Sequence, residues 1–452
     1  MKSINPYNNQ LIREYKKHTA EEVSQIIQNV HRSQQEYSGS TYRERAEKMK
    51  EAANVLRNNK TRYAELMTLE MGKILSESEA EVEKCAWVCD YYAENTETFL
   101  SDELIKSDAA KSYVHYQPLG VVLAVMPWNF PFWQVFRFAA PALMAGNGGL
   151  LKHASNVPGC ALEIEKIFKE AGFPDNLFRS LLIPGGDVGQ VIENPLVKAA
   201  TLTGSENAGS SLAELAGRHL KKTVLELGGS DPFIVMEDAD FESCCQTAVK
   251  ARMINSGQSC IAAKRFIVME DIANEFEDRV KELMQQLKMG DPLDTHTKVA
   301  PLARQEFVED IERQVSKSLE MGATCLLGGK RPEPDGNFYE PSILTNVTKD
   351  MPVFKEETFG PVMAVIRVKS EEEAIEIANS SQYGLGGCVW TNSLVRGERI
   401  ARAVESGAMF VNGMTKSDPR LPFGGVKNSG YGRELSHYGI KEFVNIKTIW
   451  IA

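Results

Sequence analysis

The chain has 452 residues, 43% of them hydrophobic and 25% charged, which excludes collagen-like, low-complexity and coiled-coil proteins and points to a soluble protein of two or three domains. Acidic residues number 61 against 51 basic ones, and no Lys/Arg block stands out, so no nucleic-acid partner is expected at a formal charge of −10. The longest apolar run, 121–125, is too short to cross a bilayer, and residues 1–10 lack an apolar signal core, so a cytoplasmic protein is expected.

In chain order, Thr19-Ala-Glu-Glu22 has the arrangement of a capping box opening a helix, and amphipathic helical patterns follow over 42–57 and 63–100. Residues 111–117 alternate as a strand, and 120–126 read as a buried strand closed by Pro127. The pattern then runs helix 132–145, strand 149–152, helix 159–171, strand 179–183, helix 188–193 and strand 199–203. The turn Gly204-Ser-Glu-Asn-Ala-Gly209 leads into a helix at 210–220. Short strands alternating with helices predict an α/β fold with a doubly wound parallel sheet, whose ligands collect at the C-terminal strand ends. Beyond Leu227-Gly-Gly-Ser230 a second alternation begins, with strands at 232–236, 265–268 and 324–327 and helices at 244–255, 273–287, 307–320 and 374–379. Residues 442–450 alternate as an edge strand would, to be capped within the chain or by another subunit.

Eight cysteines without paired spacing read as free thiols in a reducing compartment, and no metal site is expected because the seven histidines do not fall at ligand spacing with them. Cys260 differs from the other seven. It ends Asn255-Ser-Gly-Gln-Ser-Cys260, a polar turn that makes a poor packing niche and suits an accessible nucleophile. Glu226, flanked by apolar residues and glycines, has the surroundings that raise a carboxyl pKa and make a general base. Asn129, in Pro127-Trp-Asn-Phe-Pro131, places an amide donor at a strand end, as an oxyanion hole requires. The small residues of the 204–209 turn would let backbone N–H groups approach a phosphate.

Together these segments resemble the NAD(P)-dependent aldehyde dehydrogenases. The resemblance runs across nearly the whole chain and includes Thr203-Gly-Ser205, Glu226-Leu-Gly-Gly229, Gly257-Gln-Ser-Cys260, Glu356-Glu-Thr-Phe-Gly-Pro361 and Pro422-Phe-Gly-Gly-Val-Lys-Asn-Ser-Gly430. It implies a Rossmann-type dinucleotide domain (1–100 and 119–228), a catalytic domain (229–433) and a small oligomerisation element (101–118 and 434–452), in a homodimer or homotetramer. It also implies that Cys260 attacks the aldehyde, that Asn129 and the Cys260 backbone hold the oxyanion, and that Glu226 activates the hydrolytic water. Glu357 resembles the residue that holds the nicotinamide ribose and Phe359 its ring-side contact, while Trp128, Lys152, Gly204, Ser205 and Leu227 are similar to residues around the dinucleotide. Where the family has Lys-Pro-Ser-Glu, this chain has Lys152-His-Ala-Ser155, so the acidic residue that usually binds the adenosine ribose is Ser155, and NADP is expected to be accepted beside NAD.

Within the family the chain looks most like the succinate-semialdehyde dehydrogenases of the shorter bacterial type. The likeness implies that Arg137 and Ser417 hold the distal carboxylate of the substrate. Ile254 stands where many of that group carry a second Arg, Phe138 replaces a lysine, and Lys416 or Arg420 would supply compensating charge. Ala262 stands where some of the group carry a second cysteine, which implies no intramolecular disulfide switch. The alternative within the family is an aldehyde dehydrogenase for another small aldehyde or a broad range of them; a thiol hydrolase, or a relative that has lost its chemistry, would differ by forming no reduced nicotinamide.

Overall fold

A computed structural model describes residues 1–332 and 336–452. The capping box at Thr19 forms: its hydroxyl accepts from Glu22 N–H at 3.2 Å and the Glu22 carboxylate accepts from Thr19 N–H at 2.8 Å, opening the helix Ala20–Tyr37. The helical pattern over 63–100 is two helices rather than one, Lys60–Met71 and Leu75–Phe99. Gly72 adopts φ +86° and closes the first, a left-handed cap that only glycine adopts at no steric cost.

The first large sheet has six strands in the spatial order 430–431, 222–226, 197–203, 121–126, 148–153, 178–180, and all but 430–431 run parallel. Its chain order reverses between Val121–Met126 and Val197–Thr203, so the loops leaving these two strands diverge and open a crevice. Those loops carry Trp128 with Asn129, and Gly204 with Ser205. The expected turn at 204–209 is shorter than its glycines suggest: Ser205 caps a helix that already begins at Glu206, and Gly209 lies inside it. A Cβ at Gly209 would meet the Leu227 side chain at 2.5 Å, so this glycine serves close helix-to-strand packing.

The second large sheet has seven strands, ordered 324–327, 342–345, 362–368, 265–269, 232–235, 388–390, 410–411, with only the first antiparallel to its neighbour. Strand 430–431 pairs into the first sheet although it lies within the 229–433 bounds expected for the second unit. The strand Val444–Ile451 pairs along its whole length with Lys111–Pro118, joined on the far side by Glu103–Leu104. One edge of Val444–Ile451 stays open, with Ile446, Trp450 and Ile451 exposed. Among the described residues no helix is long and apolar enough to cross a membrane.

Candidate active site

The helix Phe241–Met253 stops short of the expected residue 255 because Asn255, Ser256 and Gly257 all turn left-handed, with φ of 51°, 53° and 80°. Two consecutive non-glycine residues in that region persist only where surrounding contacts over-determine them. Here they do. Asn255 N–H donates to the Glu77 carboxylate at 3.1 Å, the Asn255 amide to the Asn129 carbonyl at 2.8 Å, and Arg252 to the Gly257 carbonyl at 2.7 Å. A Cβ at Gly257 would lie 2.1 Å from the Gly360 carbonyl oxygen, which makes glycine obligatory there. Downstream, the buried Lys264 ammonium donates to the carbonyls of Ser259, Cys260 and Ala262 at 3.0, 2.9 and 3.1 Å. Cys260 is thereby fixed on both sides.

Its thiol is pushed up to about 12 by burial, an effect opposed chiefly by the Arg137 guanidinium. The Cys260 backbone N–H makes no hydrogen bond among the described residues. Beside it, the Asn129 amide gives one N–H to the Gln258 carbonyl at 3.1 Å and keeps a second. Two unspent donors beside the sulfur are what an oxyanion needs. His153 holds this turn in place: its Nδ1 accepts from Ala154 N–H at 2.9 Å and its Nε2 donates to the Pro131 carbonyl at 2.8 Å. Burial depresses its pKa to about 4, so the ring is neutral and structural.

Glu226 is not part of this arrangement at rest. It is buried, among the described residues neither of its carboxylate oxygens has a hydrogen-bond partner, and it lines neither of the cavities that meet at Cys260. Oε1 lies 2.7 Å from where a Cβ on Gly424 would sit, so glycine there leaves the carboxylate room. Burial first, and Glu434 second, hold its pKa well above the ordinary carboxylate range. Arg137 links the two groups electrostatically, lowering both.

Two cavities meet at Cys260. One, about 320 Å³, is lined by Trp128, Asn129, Gly204, Ser205, Leu227, Glu357 and Phe359, which brings together most residues singled out for the dinucleotide. Trp128 packs edge-on to Phe359 and stacks on Phe307 at 4.7 Å, a wall residue the sequence reading overlooked. Glu357 accepts from Gly229 N–H at 3.0 Å. A Cβ on Gly228 would reach the Glu357 carboxylate at 2.8 Å and one on Gly229 the Cys260 carbonyl at 2.7 Å, so the glycine pair lets the chain pass between nucleophile and carboxylate. Trp128 also lines an adjoining 660 Å³ cavity containing Lys152 and the exposed Ser155. Aromatic walls, a carboxylate for a ribose diol, a helix N-terminus behind Ser205 and a Lys/Ser pair further out fit a nicotinamide dinucleotide.

The other cavity, about 230 Å³, shares Cys260 and Gln134 with the first and contains Arg137, Ser417, Lys416 and Ile254. Arg137, expected to clamp a carboxylate, is already ion-paired with buried Glu434, donates to Thr203 Oγ1 at 3.3 Å and lies over the Phe423 ring. Arg420 is taken up by Asp418, at 2.9 and 2.7 Å. The cation the sequence reading missed is Lys84, whose Nζ is 2.7 Å from Ser417 Oγ and 4.2 Å from the Trp133 ring centroid. Burial, and then Arg137, pull its pKa down to about 8.

A reversed parallel sheet with a dinucleotide crevice, and a cysteine poised between that crevice and a second cavity, define the class: the model of the aldehyde dehydrogenase family matches residues 1–449, and the chain belongs to that family. It is 50% identical over 450 residues to a probable succinate-semialdehyde dehydrogenase [NADP(+)] of Synechocystis sp., covering 100% of this chain and 99% of the relative. It is equally 50% identical over 455 residues to succinate-semialdehyde dehydrogenase [NADP(+)] 1 of Mycobacterium bovis, with the same coverage. The crystal structure of a succinic semialdehyde dehydrogenase from Streptococcus pyogenes in complex with NADP+ superposes with a TM-score of 0.98 at 39% identity, covering 100% of this chain and 99% of that one.

Proposed function

We propose that this protein oxidises succinate semialdehyde to succinate, with NADP as its acceptor and NAD as an alternative. The observation that carries the reading is Cys260 at the meeting of two cavities, one furnished for a dinucleotide and the other lined by Lys84, Arg137 and Lys416. The printed names of relatives at 50% identity support the substrate and NADP.

In this reading Cys260 first gives its thiol proton to solvent and adds as the thiolate to the aldehyde carbonyl carbon; the C=O π bond opens, and the oxygen that becomes an oxyanion is received by the Asn129 amide and the Cys260 backbone N–H. The dinucleotide, when bound, supplies the hydride acceptor, and Cys260 is left carrying a thioester. Glu226 then takes a proton from water, whose oxygen attacks the thioester carbon; the C–S bond breaks and the acid leaves. To do so its carboxylate turns from its place beside Gly424 towards Cys260. Trp128, Leu227 and Phe359 would hold the nicotinamide, Glu357 its ribose, Gly204 and Ser205 the pyrophosphate, and Lys152 and Ser155 the adenosine ribose. Ser417 lies at the carboxylate end of the substrate site, with Arg137, held by Glu434, lining the same cavity behind it.

The bounds 1–100 with 119–228, 229–433, and 101–118 with 434–452 serve as dinucleotide, catalytic and oligomerisation parts in this proposal. The open edge of Val444–Ile451, with its exposed Ile446 and Trp450, supports pairing with a second copy in a homodimer or homotetramer. Eight free cysteines suit the cytoplasm.

A panel of aldehydes of graded length, with and without a distal carboxylate and with NAD or NADP, tests the reading. It predicts the highest kcat/KM for succinate semialdehyde with NADP, and equal rates for carboxylated and neutral aldehydes would refute the substrate. Ser155→Glu is expected to lower kcat/KM for NADP about tenfold relative to NAD, because a carboxylate there repels a 2′-phosphate.

A further inference from the structure

The helix Leu75–Phe99 presents Glu77, Glu81 and Lys84 along one face, at the spacing of successive helical turns, and all three line the cavity on the substrate side of Cys260. The two carboxylates are committed. Glu77 receives Asn255 N–H; Glu81 is ion-paired with Lys73 and receives the N–H groups of Phe132 and Trp133 at 2.9 Å. Lys84 is different. Among the described residues no carboxylate oxygen lies within 4.0 Å of its Nζ, and its one hydrogen bond is to Ser417 Oγ, across 333 residues of sequence. A partly buried ammonium without an anion in contact is costly, and an arriving anion removes that cost.

We propose that Lys84 is the specificity-determining cation for the distal carboxylate of the aldehyde, acting as a pair with Ser417. This rests on the substrate reading given above and deepens it. Lys84 spends one N–H on Ser417 and has two left, while the Ser417 hydroxyl accepts from Lys84 and keeps its own proton to donate. A carboxylate oxygen seated between them receives a charge-assisted hydrogen bond from one and a neutral one from the other. Arg137, its charge neutralised by Glu434, contributes the electrostatic background and orients that wall. Lys416 also lines the cavity but is exposed, whereas Lys84 is the cation bonded to Ser417.

The test compares kcat and KM for succinate semialdehyde and for butanal, an uncharged aldehyde of equal carbon number, in the full-length enzyme and in Lys84→Met, Lys84→Gln and Lys84→Arg. Lys84→Gln, one bond shorter, keeps a polar donor without the charge and serves if the methionine variant does not fold. Removal of the charge is expected to lower kcat/KM for succinate semialdehyde about 30-fold, the size of one charge-assisted hydrogen bond, chiefly through KM. The preference over butanal falls by a similar factor, and Lys84→Arg restores most of it. A proportional loss for both aldehydes, or a wild-type preference in Lys84→Gln, would overturn the assignment while leaving the substrate reading intact. If the wild-type enzyme shows no preference for the carboxylated aldehyde, the substrate reading fails and the assignment with it.

Discussion

Cys260 and Glu226 are held in opposite ways. The nucleophile turn is strained and tied on every side, by Glu77, Arg252, Asn129 and the three carbonyl bonds of Lys264. The Glu226 carboxylate is also buried, yet among the described residues it carries no hydrogen bond, and a second carboxylate, Glu434, acts on it. A thiol that must form and break one bond at a fixed point gains from a rigid seat, since misplacement of the attacking atom is costly. A base needed only after acylation gains from being unattached, since no bond must break for it to swing in and none hinders its return.

Three perturbations probe the fixed half. Cys260→Ser keeps the turn and replaces the nucleophile with a much weaker one, so formation of reduced nicotinamide should fall by at least about 10⁴-fold with binding of the dinucleotide retained. Because burial holds the thiol high, alkylation of the cofactor-free enzyme should accelerate with pH, by about tenfold per unit and about 100-fold between roughly pH 7 and pH 9. The sign is fixed: the thiolate is the reactive form and its fraction grows as pH approaches a raised pKa from below. A plateau near neutrality, measured by mass spectrometry of the Cys260 peptide, would mean a thiol already ionised. Lys264→Met releases three carbonyls at once, so kcat should drop by about tenfold and the melting temperature by several degrees.

Much of this was legible from residue order. The strands at 121–126 and 197–203 are short apolar runs closed by Pro127 and Gly204, and such punctuation gives away both the sheet and the loops at its reversal. Cys260 and Asn129 could be named because each sits in a short segment whose composition suits no packing role, and the wall of the dinucleotide cavity through the resemblance of its segments to the aldehyde dehydrogenases. What stayed hidden depends on contacts remote in sequence. Lys84 reads as a solvated helix charge until the loop carrying Ser417, 333 residues away, closes over it. Arg137 reads as a free clamp because nothing near it announces that Glu434 will neutralise it. The pair Lys2–Ile4 and Leu11–Glu14 escaped notice because its residues are mostly exposed and lack an apolar face. Gly72 was passed over inside a helical pattern, where glycine is tolerated, although its positive φ ends the helix.

The division between a fixed nucleophile and a free base is tested most directly by single-turnover kinetics of Glu226→Gln, mixing enzyme and dinucleotide with succinate semialdehyde and following both reduced nicotinamide and mass. If Cys260 acts without Glu226, one equivalent of reduced nicotinamide appears in a fast burst, the acyl-thioester accumulates on Cys260, and steady turnover falls by about 10²- to 10³-fold. Loss of the burst itself, with unmodified Cys260, would show that Glu226 is needed to activate the thiol and would contradict the separation of roles.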